Sequence, residues 1–371
     1  MKVLHINCNY MTSALHQVMM EHLDLLTENE VFCPILIGRD TCVTPNRNVT
    51  VAECFRSVDR LFFFGKQKKI LRAAERAYDF SSFDLIHAYT LMTDGNLAQH
   101  LSEEYGIPYV VAVRDTDVNE FFRLKPYLIP RGIRIMENAS KIFFLSETYK
   151  EKVFSYVSKE KAALLNDKAE IIPNGIDDFW LRNKNEAKKL TEEPDQNETI
   201  RILCVGQLVR YKNMSAVADA VEKLRLQGKD VRLNVIGKIR DEKVYQELLS
   251  HPFVSYCPPM DKEELIRYYR NSDLFVLVSH AETFGLVYAE AMSQGLPVIY
   301  TRGQGFDGQF PEGVVGYSCA DDDIDELTER IGEVIDNYST LSMNALREVD
   351  KFNWRDLCGR YAAIYHEIAE A

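Results

Sequence analysis

The sequence holds no run approaching the roughly 18 apolar residues of a membrane-spanning helix, so a helical membrane span is not expected. The opening stretch MKVLHINCNYM lacks the apolar region and cleavage site of a secretory signal. Eight cysteines are scattered, with no Cys-x-x-Cys pair. That spacing argues against zinc and against a disulfide framework, and for buried thiols in a reducing, cytoplasmic setting. Positive charge is scarce too: 44 Lys and Arg face 56 Asp and Glu, a net charge of −12. A duplex-binding protein needs a dominant basic face, so no nucleic-acid partner is expected. An acidic protein that binds an anion must concentrate its cations locally.

What is present is an ordinary globular mix, 46% hydrophobic and 27% charged. A chain of 371 residues exceeds the size at which one core stops growing, so two domains are expected. In the first half, short apolar runs at Lys2–Asn7, Val31–Ile37, Phe83–His87, Tyr109–Val113 and Lys141–Leu145 read as strands. Helical spacing appears at Leu15–Leu26, Lys68–Tyr78 and Gly95–Tyr105. The second half repeats the plan, with strands at Ile200–Val205, Val231–Ile236, Leu274–Val278 and Pro297–Tyr300. Helices are expected there at Met214–Gln227, Lys243–Leu249 and Gly285–Gln294. Such alternation argues for two parallel, doubly wound α/β domains. The polar stretch Arg182–Thr199 marks the junction, dividing residues 1–180 from 181–354.

In open α/β sheets ligands sit beyond the C-terminal ends of strands. The segment Ser279–Val298, SHAETFGLVYAEAMSQGLPV, has that form. A strand ends, a loop carries Glu282, and a helix opens near Gly285. The unpaired N–H groups of a helix start, with the positive end of its dipole, make a phosphate seat. Glu290 falls more than a turn inside that helix. On the residues alone, Glu282 reads equally well as a simple helix cap. Val205–Asn213, VGQLVRYKN, also follows a strand and opens a helix. Lys212 and Arg210 there could be solvated; but cations oppose the dipole at a helix start, and a bound anion explains them better.

Together these motifs resemble retaining glycosyltransferases of family 4, in the GT-B fold. Glu282 and Glu290 match the E-x7-E signature. The flanks Ser279, Phe284, Gly285, Leu286, Ala291, Met292, Gly295, Pro297 and Val298 follow the family order. VGQLVRYKN resembles the family's G-R-L-x-x-x-K-G segment: Gly206 and Lys212 match, Gln207 replaces the Arg, and Arg210 stands near enough to substitute. Ile172–Asp177, Ser146–Glu147 and Phe352-x-Trp354 give further matches. Arg114–Asn119, RDTDVN, is similar to the R-G-S/T-D-V-N variant of bacterial surface-polysaccharide transferases, with Asp115 in place of Gly. The Gly-rich loop Thr301–Phe310 resembles that subgroup as well.

The resemblance implies two Rossmann-like domains facing across a cleft. The first is the acceptor side, with helix 355–371 packing back onto it; the second binds a nucleotide-sugar, with UDP the expected nucleotide. Catalytic roles would fall to Glu282, Lys212, Arg210 and Asp117. Donor contacts would come from Gly206, Gln207, Phe284, Gly285, Leu286 and Glu290. Glu282 would face the transferred sugar and Glu290 would hold the ribose. No metal or other cofactor is expected, since fixed cations and N–H dipoles would meet the leaving diphosphate. Asp115-x-Asp117 also satisfies the D-x-D pattern of metal-dependent transferases, and Asp321–Asp323 is a weaker metal candidate that also reads as a helix start. His280 neighbours Glu282, while His5, His16, His87 and His100 have no partner at motif spacing.

The implied acceptor is a glycan or lipid-linked glycan of surface polysaccharide synthesis. Arg56–Arg72, RSVDRLFFFGKQKKILR, reads either as a peripheral anchor on the inner face of the plasma membrane or as a buried aromatic cluster beside a basic helix start. Rival functions are a nucleotide-sugar epimerase of the same fold and a non-catalytic glycosyltransferase-like subunit. The intact Glu282, Lys212 and Glu290 argue against the second.

Overall fold

The computed structural model describes residues 1–39, 48–185 and 199–370. Most of the expected junction, residues 186–198, and Cys42 lie outside the described residues. The chain divides into two compact units. One comprises Met1–Leu145, Tyr149–Gly175 and Trp354–Ala371; the other comprises Ser146–Thr148 and Ile176–Asn353.

The first unit is built on seven parallel strands: β1 (Lys2–Ile6), β2 (Glu28–Leu36), β3 (Val49–Phe55), β4 (Leu85–Ala88), β5 (Tyr109–Ala112), β6 (Lys141–Phe144) and β7 (Ala169–Ile171). Their order is β3-β2-β1-β4-β5-β6-β7, so the direction of winding reverses between β1 and β4. The pleat sends alternate side chains to opposite faces. Leu4 and Ile6 join one apolar layer with Phe32, Ile86 and Val111. Val3 joins the other, with Val31, Leu85, Val110 and residues of the last helix. Burial on both faces explains why the central strands are almost wholly apolar.

Helices α1 (Ala14–Leu23), α2 (Phe63–Ala77), α3 (Asp94–Tyr105) and α4 (Ile129–Asn138) cover this sheet, with the C-terminal helix Trp354–Glu370. That last helix lays Trp354, Leu357, Tyr361 and Tyr365 into the core, and the Cys358 thiol donates to the Met19 carbonyl of α1 at 3.5 Å. Helix α2 starts five residues before the expected Lys68, because Phe63, Gln67, Ile70 and Ala74 form one buried stripe. Phe63 is therefore in the core, 4% exposed, while Phe62 and Phe64 are 68% and 63% exposed. The Phe triplet is neither the wholly buried cluster nor the wholly exposed anchor that the sequence allows.

Two histidines are entombed in this sheet, His5 on β1 and His87 on β4. His5 is held between the Asn29 amide oxygen (2.8 Å) and the Tyr89 hydroxyl (3.2 Å), and His87 meets the Tyr365 hydroxyl at 2.5 Å. Burial pushes His5 down to about 4 and His87 well below the usual histidine range. A depressed histidine leaves stability intact above its unfolded value near 6.5 and erodes it as pH falls toward the folded value. His5 alone is expected to cost about 2 kcal/mol by pH 5. Urea unfolding of the first unit should show the midpoint falling between pH 7 and pH 5. His5→Gln should flatten that fall, and an equal fall in both proteins would refute the assignment.

The second unit carries six parallel strands: β8 (Ile200–Val205), β9 (Val231–Ile236), β10 (Val254–Cys257), β11 (Leu274–Leu277), β12 (Val298–Thr301) and β13 (Gly316–Cys319). Their order is β10-β9-β8-β11-β12-β13, the same doubly wound plan. The winding reverses between β8 and β11, and a ligand crevice belongs at that switch point. Both phosphate-type motifs, after β8 and after β11, therefore emerge side by side.

Candidate active site

The loop after β11 runs into an eight-residue helix, Leu286–Ser293, whose cap is Gly285. Gly285 has φ +78°, and a Cβ there would lie 2.3 Å from the Tyr288 ring. Only glycine satisfies both demands. The Tyr288 hydroxyl in turn donates to the Leu277 carbonyl at 2.5 Å, tying the helix to its own strand. Leu286 and Val287 open the helix, where backbone N–H groups have no partner within it. Phe284 contributes its backbone to this loop, since its ring is buried against Phe306 and Phe352.

Glu282 is fixed from two sides. Its N–H donates to the Gln304 side-chain oxygen at 3.1 Å, and its carbonyl accepts from the Gly305 N–H at 3.1 Å. A Cβ on Gly305 would sit 1.8 Å from the Thr283 carbonyl, so the loop Thr301–Phe310 is pressed directly onto the Glu282 loop. This close packing of the glycine-rich stretch holds Glu282 in place.

The loop after β8 brings Lys212 to the same place. Its Nζ lies 2.6 Å from the Glu282 carboxylate, with the two side chains only 17% and 10% exposed. The backbone reaches this position through Asn213, the one non-glycine residue with positive φ among the described residues. The Asn213 amide donates to the Val278 carbonyl at 3.0 Å and the Asp321 carbonyl at 2.7 Å, clamping the two loops together. Gln207 and Arg210 are exposed beside them, and the Arg210 side chain has no ion pair among the described residues. His280 pairs with Asp321 at 2.7 Å, and Asp323 caps the helix Ile324–Asp336.

Glu290 projects from the helix into a different setting. It is partly buried and accepts from the Tyr269 hydroxyl at 3.1 Å. Burial lifts its carboxyl to about 7, with the Asp177 charge adding and the Tyr269 bond opposing. The two signature glutamates are thus electrostatically unlike: one ion-paired to lysine, one poised to titrate near neutrality.

Asp117, expected among the groups that touch substrate, has a different role in the first unit. It is fully buried, and its carboxylate accepts from the N–H groups of Leu91, Met92 and Arg114, each at 2.9 Å. Burial still raises it to about 6 against those three donors. Asp117 ties the loops after β4 and β5 together. Asp115 bonds Asn119 and meets the Tyr149 hydroxyl at 3.4 Å. The D-x-D pair is therefore spent on the protein itself.

Three contributors escaped sequence reasoning. Gln304 and Tyr269 carried no signal, because one reads as loop and the other as the apolar stripe of the helix Lys262–Arg270. Asn213 did carry one, since asparagine tolerates left-handed backbone just before a helix.

Two doubly wound parallel sheets of this kind make the GT-B fold. Residues 184–348 match the family model for glycosyl transferases group 1. An uncharacterized glycosyltransferase of Methanocaldococcus jannaschii is 24% identical over 304 residues, covering 77% of this chain and 76% of that protein. Sucrose-phosphate synthase of Thermosynechococcus elongatus superposes with a TM-score of 0.75 at 18% identity, covering 99% of this chain and 98% of that one. Anabaena HepE, solved in complex with UDP-glucose, superposes with a TM-score of 0.68 at 16% identity, covering 100% and 98%. The chain is a glycosyltransferase, and its second unit carries the group 1 domain.

Proposed function

We propose that this protein transfers a hexose from a UDP-sugar, with retention of anomeric configuration, to a glycan or lipid-linked glycan in surface polysaccharide synthesis. The observation that carries the reading is the Lys212–Glu282 pair, 2.6 Å apart, beside the N-terminus of the helix Leu286–Ser293. The UDP-glucose complex of the Anabaena neighbour supports the choice of donor.

In this reading the diphosphate lies on the first-turn N–H groups, within reach of Lys212, with Arg210 free to close over it. The bond from the anomeric carbon to the diphosphate oxygen breaks. The acceptor oxygen bonds to the same face of that carbon, and its proton leaves with the diphosphate. Charge grows on the leaving oxygens, where preorganised donors act most strongly. Glu282 lies beside the sugar and balances the oxocarbenium-like state. Turnover should survive EDTA unchanged, and its loss would return the reaction to a metal-dependent scheme.

A thermal-shift panel of nucleotide-sugars identifies the donor, because a ligand that binds only the folded state raises apparent stability. No shift with any UDP-sugar would overturn the reading.

Glu290 makes donor affinity depend on pH. With its carboxyl near 7, it is largely protonated at pH 6 and ionised at pH 8. An ionised carboxylate is the better acceptor for ribose hydroxyls, worth about 1 kcal/mol over a neutral one. UDP-glucose, which does not itself titrate in this range, should bind about fivefold tighter at pH 8 than at pH 6. Calorimetry should show that slope vanish in Glu290→Gln. A slope that persists in the variant would take Glu290 away from the ribose.

A further inference from the structure

We propose that the first unit docks on an anionic lipid surface through a face built from two separate segments, Arg56–Arg72 and Arg123–Arg134. The second has no mark of its own in the sequence. The structure joins it to the first: the Lys125 ammonium donates to the Arg60 carbonyl at 3.0 Å, and the Phe63 and Phe121 rings meet at 5.9 Å. Val58, Leu61, Phe62 and Phe64 of one segment and Leu124 and Tyr127 of the other are all more than half exposed. Large apolar side chains left in water on two joined segments mark an interaction surface.

Charge selects the occupant. The two segments hold ten Lys and Arg against the single acid Asp59, in a chain whose net charge is −12. Basic residues around exposed aromatic and aliphatic tips fit acidic headgroups above an apolar interior. Beside Phe64, a groove of about 520 Å³ runs between α2, α3 and α4. Its walls join Phe64, Leu71 and Leu97 to Lys68, His100 and Arg131, which suits a headgroup lying alongside its chain.

The structure also redistributes the charge among the lysines of the first segment. Lys69 is paired with Asp59 at 2.8 Å. Lys66 is half-buried, with its ammonium 4.7 Å from the Phe55 ring centroid. Lys68, Arg72 and Arg123 are exposed, and they carry the test.

The full chain is floated with vesicles of phosphatidylcholine alone and of phosphatidylcholine mixed with phosphatidylglycerol. The wild type should partition onto the anionic vesicles only, and less as salt rises, because headgroup attraction is screened. Lys68→Glu with Arg72→Glu and Arg123→Glu should weaken that partition about a hundredfold. Phe62→Ser with Phe64→Ser should weaken it about tenfold. Melting temperature and UDP-glucose binding should be unchanged in both variants, since none of these side chains belongs to the donor site. Three results overturn the proposal: no binding to anionic vesicles at low salt, unweakened binding by folded variants, or a dimer that the Phe variant dissociates. The test uses lipid alone, so its failure leaves the donor reading standing.

Discussion

Replacing Lys212 with alanine is expected to lower kcat about 10²–10³-fold, the scale on which loss of one preorganised charge-stabilising donor is felt. Lys212 reaches the site by a constrained route, through the left-handed Asn213 and the carbonyls of Val278 and Asp321. Its side chain is only 17% exposed, so water screens its charge little. Arg210 is the nearest substitute in sequence, but it is exposed and its side chain is not ion-paired among the described residues. Arg210→Ala should therefore cost less. Single-turnover kinetics with saturating donor separate the chemical step from binding. A Lys212→Ala enzyme within about threefold of wild type, a difference under 1 kcal/mol, would refute the phosphate role.

Glu282→Ala is expected to lose at least about 10² in turnover while keeping or improving its affinity for UDP. Glu282 holds Lys212 at 2.6 Å, so an arriving diphosphate competes with a carboxylate for the same ammonium. Removing the carboxylate frees the cation for the ligand and leaves the developing positive charge on the sugar unopposed. Glu290→Ala should do the reverse, weakening UDP binding with a smaller effect on the saturated rate, because its carboxyl lies with Tyr269, apart from the lysine. Titration calorimetry beside steady-state kinetics reads both halves. Equal losses of UDP affinity in the two variants would contradict the division of labour.

The strands that could be read from the sequence are the central ones. β1, β2, β4, β5 and β6, then β8, β9, β11 and β12, are largely buried and appear as mainly apolar runs. The four that could not, β3, β7, β10 and β13, are the four edges of the two sheets. β3, β7 and β10 are largely half-buried, and β13 reads Gly-Tyr-Ser-Cys, so none carries a long apolar signature.

The site divides in the same way. Gly285 and Lys212 carry local signals, a helix start and a cation at a dipole that repels it, whereas Glu282 and Glu290 stand out only through the resemblance to the E-x7-E signature. The contacts among them were not legible. Lys212 and Glu282 are 70 positions apart, and Gln304 reaches back 22 positions to the Glu282 N–H. Asp117 misled because spacing shows which residue types are present but not which way they turn. Only burial and three backbone donors reveal that its oxygens are already occupied.

The most direct test of transfer with retention is to follow the anomeric protons by NMR while the enzyme acts on the UDP-sugar chosen by thermal shift. UDP should be released in step with a new glycoside, or with free sugar where water serves as acceptor. The first-formed product should carry the donor's own anomeric configuration. Appearance of the opposite anomer first, or of an epimerised sugar still attached to UDP, would contradict the account.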